Sequence, residues 1–217
     1  MDRSPGRVVA EGYDRVADRY LAWTIDGPTR LAYLDRVMEL LPEGSHVLEL
    51  GCGAGEPVAR RLSERHRVTG VDLSPEQIAR ARVNAPDAEF LIGDMTQLVL
   101  EPRSLDAVIA FYSIIHVPRT MHTELLAKIA SWLRPDGLFV ATMGAVASPG
   151  TIQEDWLGVP MYFSHFDAPA NRAMVQRAGF VLESTEVVED EEDGRSVPFQ
   201  WIVARRGFEP EMMEPIR

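Results

Sequence analysis

Short apolar runs alternate along this chain with segments whose apolar residues recur at helical spacing. Residues 28 to 41 begin with Pro28, a good first-turn residue, and place five apolar side chains on one helical face: Leu31, Leu34, Val37, Met38 and Leu41. Buried strands are predicted at Val47 to Leu50 and at Arg67 to Asp72. This alternation of helix and strand predicts an α/β fold with a parallel, doubly wound sheet.

Further helices have recognisable ends. Ser74-Pro75-Glu76-Gln77 predicts a capped helix start, with a capping-box glutamine, for a helix through about Val83. A second helix is predicted to end at Pro135 and Gly137, because Leu125, Leu126, Ile129 and Leu133 form one apolar face before them. Asp167 can cap a third helix that runs to Gly179, a suitable residue just after a helix end.

The carboxyl-terminal part changes character. Two strand-like runs, Phe180 to Glu189 and Val197 to Ala204, are joined by an acidic turn that contains Asp193-Gly194, so they are predicted to pair antiparallel. The acidic run from Glu189 to Asp193 is interpreted as a solvated hairpin tip rather than a cation site, because metal sites need converging ligands.

Composition limits the possible classes of protein. With 217 residues, 46% hydrophobic and 25% charged, one globular domain is expected, with a loose tail over 207–217. A formal net charge of -11 and the lack of a basic run argue against nucleic-acid partners. No leader-like segment or long apolar stretch is present, so a cytoplasmic protein without membrane contact is expected.

Two residue counts add to this picture. Lys128 is the only lysine beside many arginines, which suggests a GC-rich coding sequence and therefore a bacterial source. Cys52 is the only cysteine, which excludes intramolecular disulfides and cysteine metal clusters. Its place between glycines favours a buried packing role over a nucleophilic one.

Three glycines follow the first strand at alternate positions, Gly51, Gly53 and Gly55. The third comes one position too early for the dinucleotide fingerprint G-x-G-x-x-G. Glu49 stands two residues before the first glycine, where its carboxylate would repel a diphosphate but suit an ammonium or sulfonium ligand. Asp72 ends the second strand 21 residues after Gly51, where an open α/β sheet places the carboxylate that accepts ribose hydroxyls.

These features resemble motif I and its acidic partner in the class I S-adenosylmethionine-dependent methyltransferases that act on small molecules. The resemblance spans roughly residues 10 to 206, because further matching pieces occur in the family's order. They are the lid-helix pattern Tyr13-Asp14-x-x-Ala17-x-x-Tyr20, the acidic turn Gly93-Asp94-Met95 after Ala88 to Ile92, the fourth strand Leu105 to Phe111, and the turn from Leu133 into a fifth strand ending near Val140.

The resemblance implies a Rossmann-like seven-stranded sheet of order 3-2-1-4-5-7-6, with the last strand antiparallel. It implies an N-terminal lid segment over 1–27 and a core over 28–206. The implied cofactor is S-adenosylmethionine, with S-adenosylhomocysteine as product. The residues implied to bind it are Glu49, Gly51, Cys52, Gly53, Gly55, Asp72, Leu73, Gly93, Asp94, Met95, Phe111, Tyr13 and Tyr20. The two tyrosines could equally be aromatic packing residues of a helix.

Two histidines are candidates for a general base, which a neutral oxygen or nitrogen acceptor would need. His116 follows the fourth strand and matches a histidine frequent in the family's H-V-P turn, and His165 lies between the fifth strand and the next helix. His46 and His66 flank the amino ends of strands, and His122 lies on a helix. For both candidates a structural role remains open: His116 could brace the pocket and His165 a loop.

Four aromatic residues are predicted to contact the acceptor: Tyr112, Trp156, Tyr162 and Phe163. Tyr112 follows the fourth strand, and the other three lie before the next helix, where aromatic residues concentrate as in a pocket wall. The fourth strand lacks the Asn/Asp-Pro-Pro-Tyr sequence of DNA and glutamine amino-methyltransferases, and no metal-ligand set is recognisable. We therefore expect metal-independent methyl transfer to a small metabolite such as a natural product. The expected acceptor atom is oxygen or nitrogen, with sulfur or carbon as the less favoured alternatives, and the expected enzyme is a monomer or homodimer. A non-catalytic S-adenosylmethionine-binding or partner protein of the same fold is the alternative, whereas the glycine spacing, Glu49 and the terminal hairpin disfavour an oxidoreductase.

Overall fold

A computed structural model describes residues 3–192 and 194–207, at residue 192 for the backbone alone. The helices are α1 (Pro5–Thr24), α2 (Pro28–Leu40), α3 (Val58–Ser63), α4 (Pro75–Asn84), α5 (His122–Trp132) and α6 (Ala168–Arg177). The strands are β1 (His46–Leu50), β2 (Arg67–Asp72), β3 (Glu89–Ile92), β4 (Leu105–Ala110), β5 (Leu133–Gly144), β6 (Ser148–Trp156), β7 (Val159–His165), β8 (Phe180–Glu192) and β9 (Arg195–Arg206). Short 3-10 turns lie at Ile114–His116 and Arg119–Met121.

Seven strands form one sheet in the order β3-β2-β1-β4-β5-β9-β8. The first five strands in this order, β3, β2, β1, β4 and β5, pair in parallel, and β9 runs antiparallel to both β5 and β8. When the separate β6-β7 pair is left out of the numbering, this is the predicted order 3-2-1-4-5-7-6, so the fold prediction is confirmed. The carboxyl ends of the parallel strands meet at one edge, where such sheets bind ligands.

Helices cover both faces of this sheet, which explains why its central strands are apolar at consecutive positions. Val47 packs into a cluster with α2, α3 and α4, whereas its neighbour Leu48 packs into a cluster with α5 and α6. On α2, Leu34 and Val37 are buried as predicted, and Tyr33 is buried as well because its ring stacks on Trp201 of β9.

Two of the predicted helix caps are present. The Asp167 carboxylate accepts a hydrogen bond from the Ala170 N–H at 2.9 Å, and the Ser74 hydroxyl accepts one from the Gln77 N–H at 3.0 Å. The capping box is only half formed, however, because both polar atoms of the Gln77 side chain are buried with no hydrogen-bond partner in the described part of the chain. That glutamine amide is therefore available to a ligand.

The hairpin of β6 and β7 was not predicted, since the sequence analysis expected only a loop before α6. Six of the first eight residues of β6, from Ser148 to Asp155, are exposed, so this strand lacks the apolar alternation of a half-buried strand. The two strands are joined by Leu157 and Gly158, both with positive φ, as in a tight two-residue hairpin turn. That X-Gly pair is the one signal in the sequence for the hairpin.

The hairpin holds α1 in place. Val9 and Val16 of α1 pack with Trp156, Met161 and other apolar residues in a third buried cluster. The helix approaches β7 closely at Gly12, where a Cβ atom would lie 2.7 Å from the Met161 methyl carbon. Hence the lid segment predicted for 1–27 rests on a support that the sequence analysis did not foresee.

No helix among the residues that the structure describes is long and apolar enough to cross a membrane. The tail predicted for 207–217 lies outside the described residues except for Gly207, and Asp193 of the predicted acidic turn also lies outside them.

Candidate functional site

A narrow cleft opens at the carboxyl edge of β1, β2, β3 and β4, beneath α1. Its lining contains ten of the thirteen residues that the sequence analysis assigned to the cofactor: Gly51, Gly53, Asp72, Leu73, Gly93, Asp94, Met95, Phe111, Tyr13 and Tyr20. Asp14 fastens α1 over this cleft by accepting hydrogen bonds from the Ser74 hydroxyl and from the Glu76 N–H. Chain segments far apart in sequence thus enclose one space.

Glycines in the loop after β1 let its backbone approach other groups closely. Gly51 has a φ of 75°, and a Cβ atom there would collide with the Ser113 side chain. Gly55 plays a different part from the one implied for it, because it lines neither the cleft nor the small pocket described below. A Cβ atom at Gly55 would lie 3.1 Å from Ala81 of α4, so this glycine packs the loop against that helix.

Asp72 organises the loop through backbone hydrogen bonds. Its Oδ2 accepts from the Gly53 N–H and its Oδ1 from the Ser74 N–H, both at 2.9 Å. Burial raises the pKa of Asp72, and these two hydrogen bonds oppose that rise. A carboxylate oxygen has two acceptor positions, so each oxygen keeps one for a ligand.

Asp94 shapes the loop after β3 in a similar way. Its Oδ1 accepts hydrogen bonds from the N–H and the hydroxyl of Thr96, both at 2.8 Å. These bonds leave Oδ2 for a donor on a ligand, and Asp94 lines the cleft.

A small polar pocket adjoins the cleft at the carboxyl end of β1. It contains Glu49, Cys52, Arg30 and Gln77 in its lining. Glu49 is only 4% exposed, and its Oε2 has no hydrogen-bond partner within the described ranges. Burial raises the pKa of Glu49 to about 8, against the opposing effect of the Arg30 charge. A buried carboxylate and a buried amide without partners suit a ligand that brings both a positive group and acceptors.

A larger cavity of about 580 Å³ lies on the other side of Tyr20. It is bounded by α1, by the start of α2, by the loop after β4, and by β8 and β9. The lining is Tyr13, Tyr20, Trp23, Thr24, Asp26, Gly27, Pro28, Thr29, Arg30, Tyr112, Ile115, His116, Glu189, Asp190, Glu191 and Phe199. Four of these residues, Tyr13, Tyr20, Tyr112 and His116, also line the cleft. The two spaces therefore meet at these four side chains.

His116 stands at this junction with both ring nitrogens engaged. Its Nδ1 lies 2.7 Å from the Tyr162 carbonyl oxygen, and its Nε2 lies 2.9 Å from the Tyr13 hydroxyl. A carbonyl oxygen can only accept, so the network assigns the proton to Nδ1 and makes Nε2 the acceptor of the Tyr13 O–H. Burial lowers the pKa of His116 to about 4, which leaves the ring neutral near pH 7.

His165 lies elsewhere. It lines a neighbouring cavity of about 280 Å³ together with Trp156 and Phe163, and burial lowers its pKa. Its ring packs on Gly144, where a Cβ atom would collide with it, and its Nδ1 has no partner in the described part of the chain. The structure thus brings His116, and not His165, to the junction.

The four residues predicted to contact an acceptor are divided in the same way. Tyr112 lines the large cavity, whereas Trp156 and Phe163 line the neighbouring one. Trp156 and Phe163 nevertheless contact residues of the junction. The Trp156 ring centroid lies 5.6 Å from that of Tyr13, and the Phe163 ring centroid lies 4.9 Å from that of His116. The Tyr162 side chain instead lies against Gly150 on β6.

Asp190 is a site residue that the sequence analysis missed. The prediction of a solvated tip is wrong for this position, because Asp190 is half-buried and accepts hydrogen bonds from Tyr112 and Thr29. The acidic run was the only signal, and a pattern of charges cannot show which of its members faces a cavity. Among the described residues, no group of three or more His, Cys, Asp and Glu side chains has the arrangement of a metal site.

Comparison with known proteins gives three relevant findings. Residues 47–137 match a family model described as a methyltransferase domain. The 27-O-demethylrifamycin SV methyltransferase of Amycolatopsis mediterranei is 33% identical over 140 residues, which are 60% of this chain and 50% of that protein. Trans-aconitate 2-methyltransferase of Escherichia coli is 37% identical over 101 residues, 45% of this chain and 38% of that protein. The chain spans about half the length of the curated relatives it matches, or less.

Among solved structures, the Burkholderia thailandensis 1,6-didemethyltoxoflavin-N1-methyltransferase, with 1,6-didemethyltoxoflavin and S-adenosylhomocysteine bound, superposes with a TM-score of 0.72. The match has 22% sequence identity and covers 96% of this chain and 92% of that one, so it establishes a shared fold. The matched domain, the strand order and this shared fold support a class I S-adenosylmethionine-dependent methyltransferase with S-adenosylmethionine as its cofactor.

Proposed function

We propose that this chain transfers the methyl group of S-adenosylmethionine to an oxygen or nitrogen atom of a small metabolite, with His116 as the general base. The observation that carries the proposal is the junction of the cleft and the large cavity at Tyr13 and His116. Two relatives support a small acceptor by their names, one for a demethylrifamycin and one for trans-aconitate.

The cofactor fits the cleft and the small pocket by charge and hydrogen bonding. Asp72 has free acceptor positions for two ribose hydroxyls, and Asp94 has one for an amino group. In the small pocket, Glu49 suits the ammonium of the amino-acid end, while Arg30 and the Gln77 amide suit its carboxylate. The residues proposed to hold the cofactor are Glu49, Gly51, Cys52, Gly53, Asp72, Leu73, Gly93, Asp94, Met95, Phe111, Tyr13 and Tyr20, with Gly55 supporting the loop.

When bound, the cofactor supplies an electrophilic methyl group on a sulfonium sulfur. The chain's own contribution is to hold the acceptor, to exclude water with the aromatic side chains at the junction, and to take up a proton. His116 Nε2 can receive that proton directly, or through the Tyr13 hydroxyl, whose own proton moves to Nε2 as it takes the acceptor's. The Tyr162 carbonyl keeps Nδ1 protonated and so keeps Nε2 available.

The test has two arms. Calorimetry should show binding of S-adenosylhomocysteine and no comparable binding of NAD, since the glycine spacing and Glu49 disfavour a diphosphate. A panel of small hydroxyl and amine acceptors, incubated with isotopically labelled S-adenosylmethionine and analysed by mass, should yield a product one labelled methyl group heavier. Tight cofactor binding with no methylated acceptor in that panel would favour a non-catalytic binding protein, and NAD binding alone would refute the proposal.

A further inference from the structure

Carboxylates dominate the charged groups in the wall of the large cavity. Asp26, Glu189, Asp190 and Glu191 line it, against the single guanidinium of Arg30 among the described lining residues. Within the described ranges, no lysine, arginine or histidine forms an ion pair with any of these four acids. The wall therefore carries negative charge that no side chain in the described part of the chain neutralises through an ion pair.

Neutral groups hold the Asp190 carboxylate in place. Its Oδ1 accepts a hydrogen bond from the Thr29 hydroxyl at 3.0 Å, and its Oδ2 accepts one from the Tyr112 hydroxyl at 2.6 Å. Two hydroxyl donors orient the carboxylate but leave its charge in full. A half-buried, oriented and uncompensated carboxylate favours a cationic ligand beside it.

Arg30 does not supply this missing positive charge. Its guanidinium carbon lies 4.8 Å from the centre of the Tyr112 ring, and its charge acts on Glu49 in the small pocket. The Tyr112 hydroxyl, at the far end of the same ring, is the group that contacts Asp190. Arg30 lines both the large cavity and the small pocket, and its guanidinium lies over the Tyr112 ring rather than at the Asp190 carboxylate.

Aromatic rings make up much of the remaining wall. Tyr13, Tyr20, Trp23, Tyr112 and Phe199 all line the cavity, and Trp23 is 39% exposed. Ring faces attract cations and also accept flat apolar groups. A volume of about 580 Å³ is of the size that binds small organic ligands.

We propose that the large cavity selects an organic cation, an acceptor in which a protonated amine is attached to a ring-containing apolar body. The amine lies against Asp190 and its acidic neighbours, and the atom to be methylated lies at the pair formed by Tyr13 and His116. This inference rests on the proposed function and names the class of its substrate.

The division of residues between the two spaces supports this orientation. The four acids line the large cavity but not the cleft, whereas Tyr112 lines both. The ammonium group is thus held away from the sulfonium end of the cofactor, where two positive charges would repel each other. The anchored amine and the methylated atom are accordingly different groups of the acceptor.

Three probes with one aromatic body and different charges test the proposal: 2-(1-naphthyl)ethylamine, 2-(1-naphthyl)ethanol and 1-naphthaleneacetate. Calorimetry on the protein saturated with S-adenosylhomocysteine should show the amine binding about tenfold more tightly than the alcohol, with the carboxylate weakest. The same measurement on Asp190→Asn should show the amine weakened about tenfold and the alcohol changed less than about twofold.

Glu101→Gln is the matched control, because it removes the same charge from an exposed residue outside the cavity lining. It should leave the affinities of all three probes unchanged. A second variant, Glu189→Gln combined with Glu191→Gln, covers the case in which Asp190→Asn disturbs Tyr112, and should weaken the amine selectively by a few fold.

The proposal is overturned if the amine binds no more tightly than the alcohol, if none of the probes binds, or if the variants weaken amine and alcohol equally. Binding of S-adenosylhomocysteine is measured first in each case. Failure at that step counts against the proposed function, whereas normal cofactor binding without amine selectivity counts against this inference alone.

Discussion

The cleft and the large cavity differ in where the residues of their walls come from. Although Tyr13 and Tyr20 of α1 also line the cleft, much of its wall lies at strand ends, where Gly51, Gly53 and the Asp72 carboxylate lie within 22 residues of one another. The cavity consists of side chains from distant segments. Tyr13 meets His116 across 103 positions of the chain, and Tyr112 meets Asp190 across 78.

This difference separates a general function from a specific one. A cleft at strand ends suits a ligand that every member of a family shares, because the fold itself supplies the space there. A cavity of side chains can change with each substitution without disturbing the sheet. Changes to the cleft should therefore alter cofactor affinity, and changes to the cavity should alter turnover or acceptor choice.

The largest effect is expected at the junction of the two regions. His116→Gln should lower turnover by about 10²–10⁴-fold while the affinity for S-adenosylhomocysteine stays within about twofold, because a proton acceptor matters only in the transition state. Steady-state kinetics and calorimetry measure the two quantities. His46→Gln, at the amino end of β1, is the control and should change neither. A joint loss of turnover and cofactor affinity would indicate a bracing role instead.

The pH profile of the unmodified protein sharpens this prediction. With the pKa of His116 lowered to about 4, kcat/KM should stay level from about pH 8 to about pH 5 and fall only as the pH approaches 4. An acidic limb near the ordinary histidine value of about 6.5 would show that the acting base is a more exposed group.

A smaller effect is expected in the cleft. Asp72→Asn should weaken S-adenosylhomocysteine binding by about 10–100-fold, because a carboxylate accepts stronger hydrogen bonds from ribose than an amide oxygen does. The unfolding temperature should fall as well, since Asp72 also holds the Gly53 and Ser74 N–H groups.

Asp106→Asn provides the comparison for Asp72. The Asp106 carboxylate accepts a hydrogen bond from the His46 N–H at 2.7 Å, but at the other end of the sheet. This variant should lower the unfolding temperature without changing cofactor affinity. Equal affinity losses in the two variants would mean that Asp72 acts only through stability.

Glu49→Gln should move stability and affinity in opposite directions. The Glu49 pKa is raised from 4.5 to about 8 on folding, so the folded state keeps a proton that the unfolded chain releases. The stabilisation that this retained proton gives the folded state is fully present below about pH 4.5 and is lost as the pH rises through about 8. The variant's unfolding temperature relative to wild type should therefore rise between pH 5 and pH 8 in the absence of ligand.

The same variant should bind S-adenosylhomocysteine about tenfold more weakly, because the amide cannot pair with an ammonium group. Thermal unfolding at two pH values and calorimetry at pH 8 check both effects, with Glu101→Gln as the charge-matched control. A pH-independent difference in unfolding temperature would contradict the buried, protonated state of Glu49.

The smallest effect is expected behind the junction. His165→Gln should change turnover by less than about threefold, because this ring lines the neighbouring cavity and does not reach Tyr13. A loss as large as that of His116→Gln would show that the two cavities act as one site.

Sequence alone determined much of the fold and of the cleft. The alternation of apolar runs and amphipathic segments predicted the parallel, doubly wound sheet, and the family resemblance implied its strand order. The glycine loop and Asp72 lie in neighbouring segments whose roles depend on local backbone geometry. Such features are readable because nearby residues encode them: a positive φ calls for glycine, and a strand end followed by an acid marks a site. The supporting role of Gly55 could not be read in this way, since it depends on contact with Ala81.

Only the tertiary structure decided which histidine meets the cleft, that Arg30 and Asp190 line the large cavity, and that β6 and β7 form a hairpin that packs against α1. Both His116 and His165 were candidates for the base, and the match to the family's H-V-P turn favoured His116, but the sequence could not show where either ring lies relative to the cleft. Their difference depends on contacts between segments that are far apart in the chain. Packing free energy determines those contacts, and it depends on the shape and burial of the assembled surfaces rather than on any local pattern.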